Sequence, residues 1–132
     1  RLRAARGPLA VAGAAAVAGA ALVLRDPHGT GSWGVCPLYA LTGLYCAGCG
    51  GLRATHDLLV GDLAGAWAMN PLWVLLVPVL LGLWAWWLTR AVRTGGPARG
   101  PSVTVALVGA AVVVLYSVAR NVPAWAGLLA PV

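Results

Sequence analysis

The chain has 132 residues, of which 61% are hydrophobic and only 9% charged, and it carries a formal net charge of +6. A soluble domain needs about 25% charged residues, so this composition cannot make a water-facing surface and reads as membrane protein. All nine positive residues are arginines at the ends of apolar runs. With no basic face or stripe, nucleic acid is excluded as a partner.

The first apolar run, residues 8–24, is rich in Ala, Gly and Val and lies between Arg6 and Arg25. It is short for a bilayer core, which takes about 20 apolar residues and no fewer than about 17. A basic start and small-residue end also suit a signal peptide. Arg25-Asp26-Pro27 makes a poor cleavage region, however, so a first span is expected. The chain opens on Arg1 rather than methionine, which leaves room for residues before it. Ala12, Ala16 and Ala20 recur at helical spacing and predict close helix contact on one face.

Residues 25–70 are too patterned for a plain loop. Residues 26–32 are turn chemistry throughout. Residues 38–44 form a short apolar stretch suited to the interface. The stretch 52–60 has helical spacing and Gly61 ends it; Asp62 is placed to cap a second short helix reaching Trp67. Asn70-Pro71 opens the next element, with proline tolerated in a first helical turn.

Residues 71–89 are long and rich in Leu and Trp, and are expected to span, with Pro78 bending the helix. The loop 90–101 contains Arg90, Arg93 and Arg99 and no acid. A third span covers 102–119, where Gly109 is expected to favour packing, and Arg120-Asn121 at its outer end can reach either the cysteine cluster or the headgroups, the headgroup layer being the simpler destination. The seven tryptophans read as interfacial anchors.

The arginines also indicate sidedness. Arg1, Arg3 and Arg6 join the 90–101 loop on one side, whereas Arg25, Arg53 and Arg120 fall on the other together with all three acids, Asp26, Asp57 and Asp62. The positive-inside bias puts the N-terminus and that loop in the cytoplasm and faces the segment 25–70 outward.

All three cysteines lie in the outward segment: Cys36, Cys46 and Cys49. Three readings stand side by side. The Cys46-Ala47-Gly48-Cys49-Gly50 turn has the shape of a zinc knuckle, with Cys36 as third thiolate and His56 as fourth ligand. Alternatively, Cys46 and Cys49 form a redox pair at a helix start, with Arg53 one turn on to stabilise a thiolate. Finally, a disulfide or buried thiols pin the segment to the bundle, leaving one cysteine unpaired if a bridge forms. Gly50 stands where a c-type haem motif needs histidine, which excludes haem attachment. Arg53 and Asp57 are four apart on a predicted helix and read as an ion pair.

Cys36-Pro37, Leu41-Thr42-Gly43, Cys46-x-Gly48-Cys49-Gly50, Arg53-Ala54, Gly61-Asp62 and Asn70-Pro71 together resemble the signature of a family of small bacterial membrane proteins classed as a domain of unknown function. The resemblance covers residues 36–78. It implies a small multi-helix membrane protein and treatment of the thiols as one unit, and it implies no activity.

The expectation is an all-α integral membrane protein of the bacterial plasma membrane, a single domain with three spans and one or two short interfacial helices. Functionally it reads as a non-catalytic accessory or scaffold subunit organised by its cysteines, with zinc as the possible cofactor. Its partners are the lipid bilayer and either another membrane subunit or further copies of itself. A membrane thiol–disulfide oxidoreductase is the alternative, and a lipid or small-molecule binding protein the second alternative.

Overall fold

Proline at the starts and left-handed glycine at the ends set several of the helix limits in the computed structural model, which describes residues 2–29, 31, 33, 35–95, 100 and 102–131. Helix α1 runs Leu2–Leu24, starting well before the apolar run and continuing through Pro8. Three short helices follow: α2 (Pro37–Thr42), α3 (Gly51–Val60) and α4 (Leu63–Met69). Helix α5 covers Pro71–Thr94, α6 Val103–Ala119 and α7 Pro123–Leu129. No strand occurs among the described residues.

The local causes are explicit. Pro37, Pro71 and Pro123 occupy first turns, where a missing N–H costs nothing. Gly61 ends α3 at φ +87°, and Asp62 then caps α4 by accepting the Gly65 amide at 2.9 Å. Asn70 caps α5 by accepting the Trp73 amide at 3.1 Å.

Helices α1 and α5 are long and apolar enough to cross a membrane; α6 and α7, bent by 107° at their junction, would make a third crossing as a broken span. The segment before α5 holds three short helices, and α7 adds a fourth, where one or two were expected. Hydropathy could not anticipate them, because short amphipathic turns do not make a membrane-length apolar window.

Helix α1 packs along Ala5, Pro8, Ala12, Gly19 and Leu22, whereas Ala16 and Ala20 are exposed. The expected four-residue stripe is therefore replaced by a three-and-four alternation, which keeps one face turned to a neighbour along 3.6-residue turns. Indoles help join the elements: Trp84 donates to the Pro8 carbonyl at 2.9 Å and Trp73 to Thr55 Oγ1 at 2.8 Å. These two tryptophans make tertiary contacts that the anchoring expectation did not include. On α6 the residues from Val103 to Leu115 are all exposed, Gly109 included. The central core lies where the short helices meet the start of α5: Ala54, Ala66 and Met69 close against Leu58, Trp73 and Val74.

Candidate functional site

The thiol loop is held from behind by three side chains distant in sequence. Arg120, fully buried, donates through Nη1 to the carbonyls of Cys46 and Cys49, each at 2.8 Å. Its Nη2 reaches Met69 O at 3.2 Å and its Nε reaches Leu129 O at 2.7 Å. Asn70 donates through Nδ2 to Ala47 O at 2.8 Å and Cys49 O at 3.2 Å, while its Oδ1 accepts from Trp73 N and, at 3.1 Å, Tyr116 Oη. Asn121 both accepts from Tyr45 N at 2.9 Å and donates to Tyr45 O at 2.8 Å, much as a neighbouring strand would.

Gly51 N donates to Gly48 O and Ala54 N to Gly50 O. Every carbonyl from Tyr45 to Gly50 thus has a donor. Buried backbone left unpaired is costly, so this full set of partners fixes the loop's shape.

The sulfurs converge on the opposite side. Cys46 Sγ is 3.5 Å from Cys36 Sγ and 3.4 Å from Cys49 Sγ, and the three lie within 4.8 Å of one another. All three are free thiols, since no pair is at bonding distance. Cys46 N–H also donates to Cys49 Sγ at 3.3 Å. A cavity of about 590 Å³ opens beside them, lined by all three cysteines with Tyr39, Tyr45 and Arg53.

Helix α3 begins only at Gly51, so Cys49 precedes its cap and Cys46 stands further back. Neither thiol sits in the helix's first turn, where its dipole acts most strongly. Burial instead pushes the Cys49 thiol up to about 12. Cys36, at the start of α2, is held below its ordinary range, chiefly by the Tyr39 backbone amide.

His56 is elsewhere. Its Nδ1 lies 2.9 Å from the Leu22 carbonyl, and it clusters with Asp26 and His28 rather than with the sulfurs. It follows the start of α3 by five residues, about 7.5 Å of helical rise, which carries it away from the thiol loop. Arg53 and Asp57 do not pair: Arg53 is exposed and lines the cavity, whereas Asp57 is buried with Oδ2 at 3.5 Å from His28 Nε2.

Sequence reasoning missed Asn70 as a loop clamp, and for Arg120-Asn121 it preferred the headgroups over the cysteine cluster that both residues in fact reach. A basic residue followed by asparagine at the end of an apolar run was the only hint, and it fits either destination.

Residues 36–84 match a family described as "Protein of unknown function (DUF2752)". The matched stretch contains all three cysteines and Asn70 but ends before Arg120 and Asn121. No curated protein and no solved structure is detectably similar to the chain.

Proposed function

We propose that Cys36, Cys46 and Cys49 hold one soft metal ion, zinc in the first instance, and that the resulting rigid unit serves a non-catalytic accessory subunit of the bacterial plasma membrane. The observation that carries this reading is the convergence of three sulfurs within 4.8 Å on a loop whose carbonyls are all paired. Thiolates around one zinc, each at about 2.3 Å from it, stand just under 4 Å apart, close to the spacing seen here. Charge supports it as well. Arg120 is a buried cation with no carboxylate partner among the described residues, and three thiolates with Zn²⁺ carry one net negative charge.

His56 does not complete the set, so the fourth position is left toward the cavity for a water, a small ligand or a side chain from another subunit. With the positive-inside orientation, the metal faces the extracytoplasmic side. Metal analysis of the purified chain in detergent should find sulfur-bound zinc and three thiols that become titratable only after chelation.

A second reading, thiol–disulfide exchange, has one observation in its favour: Cys46 is within 3.5 Å of both other sulfurs and could bridge to either. A protein without sulfur-bound metal, whose Cys46 dithiol is oxidised to a disulfide as a quinone is reduced to the quinol, or whose Cys46 disulfide is reduced as a partner dithiol is oxidised, would overturn the zinc reading and establish this one.

A further inference from the structure

A second constellation lies where the loop after α1 meets α3. The Asp26 carboxylate and one ring nitrogen each of His28 and His56 are within 4.8 Å of one another. Asp26 Oδ1 is 2.8 Å from His28 Nδ1 and 3.8 Å from His56 Nε2, and the two rings meet edge-on with centroids 5.7 Å apart.

The far side of each imidazole is already arranged. His56 Nδ1 lies 2.9 Å from Leu22 O, which can only accept, so Nδ1 carries a proton and Nε2 is the nitrogen that faces Asp26 and can offer a lone pair to a metal. His28 Nε2 is 3.5 Å from Asp57 Oδ2. That carboxylate is 5% exposed, and its Oδ2 has no hydrogen-bond partner. Gly65 leaves it room, since a Cβ there would stand 3.2 Å from the same oxygen. A buried, unpaired carboxylate oxygen is costly unless something gives it a partner. If His28 ligates through Nδ1, its Nε2 must carry the proton and turns toward Asp57. This is the carboxylate–histidine–metal arrangement that orients imidazole ligands.

We propose that Asp26, His28 and His56 bind a second divalent transition metal of the zinc class, separate from the cysteines, with Asp57 and the Leu22 carbonyl positioning the two imidazoles. Two nitrogens and one carboxylate oxygen form a three-ligand set with an open position. Asp26 and His28 are exposed, so the ion can enter from solvent. Once bound, it ties the C-terminal end of α1 to α3.

The test uses the full chain in detergent micelles titrated with Co²⁺ and Zn²⁺, with the cobalt spectrum distinguishing sulfur ligation from nitrogen and oxygen ligation. The Cys36→Ser/Cys46→Ser/Cys49→Ser chain should retain one equivalent of Co²⁺ without thiolate charge-transfer bands, and Zn²⁺ should raise its melting temperature. Adding His28→Gln or His56→Gln should abolish that equivalent. Asp57→Asn should weaken it by about 10- to 100-fold, the usual cost of losing an outer-shell partner.

Should the serine chain fail to fold, His28→Gln in the wild-type background gives the same answer. It should remove one metal equivalent and leave the thiolate bands intact. The proposal is overturned if no metal binds apart from sulfur, or if His28→Gln leaves stoichiometry and affinity unchanged in chains with native circular dichroism. A wild-type chain that shows no thiolate bands but still binds the histidine-dependent equivalent would instead sink the zinc–cysteine reading and leave this one standing.

Discussion

Arg120 puts a full positive charge at 0% exposure and spends its guanidinium donors on backbone carbonyls alone. A planar fork can serve several carbonyls at once, and its face also lies over Tyr116, 5.2 Å from the ring centroid. Lysine has one compact ammonium and cannot reproduce this. Arg120→Leu should destabilise the chain by about 1–3 kcal/mol for each carbonyl left without a donor, and Arg120→Lys should recover only part of the loss. Thermal unfolding in detergent is the measurement.

The thiols should also differ in reactivity. Cys36 ionises below its ordinary range and is more accessible, whereas Cys49 is buried and pushed up to about 12. In metal-free protein near pH 8, alkylation followed by mass spectrometry should find Cys36 modified well before Cys49. The folded state keeps the Cys49 proton to higher pH than the unfolded chain, whose thiol ionises near about 8.5. Stability should therefore fall as pH rises from there toward about 12, while the contribution of Cys36 is already complete above its unfolded value. Zinc should remove this alkaline loss by taking Cys49 as thiolate.

Among the elements, the turn into α3 is the most constrained. Gly50 has φ +79°, and a Cβ there would lie 2.5 Å from the Met69 carbonyl that also accepts from Arg120. Gly61 has φ +87° with nothing within 4 Å of the same added atom. Both alanine variants incur the left-handed backbone cost of about 1–2 kcal/mol. Only Gly50→Ala adds a clash with backbone that cannot move without displacing the thiol loop. Its melting temperature should fall clearly further than that of Gly61→Ala, and it should lose metal affinity where Gly61→Ala does not.

At the scale of the whole molecule, the C-terminal end of α6 completes a site formed near residue 46. Asn121 and Tyr45 are 76 positions apart in sequence, yet exchange two hydrogen bonds. Ending the chain after Ala119 should leave the apolar helices in the membrane but free the thiol loop, raising the Cys49 alkylation rate by about tenfold or more. Sidedness is a property of the same scale. A membrane-impermeant maleimide applied to intact cells should label Cys36 in metal-stripped protein, and labelling only after envelope disruption would reverse the orientation proposed from the arginines.

Local chemistry alone determined the apolar runs, the Gly61–Asp62 and Asn70–Pro71 junctions and the gathering of thiols in one segment, because each depends on a few neighbouring residues. The allocation of His56, Asp57 and Arg53 was not legible. Spacing along a helix says which residues share a face, but not what the rest of the chain brings to that face. Tertiary structure took His56 to Asp26 and His28, turned Asp57 inward beneath Gly65, and drew Arg120 from the headgroup layer to the back of the cysteine loop. The reason is the cost of unpaired backbone away from water: local amides reach the carbonyls of Cys46, Gly48 and Gly50, whereas those of Tyr45, Ala47 and Cys49 find their donors in residues remote in sequence.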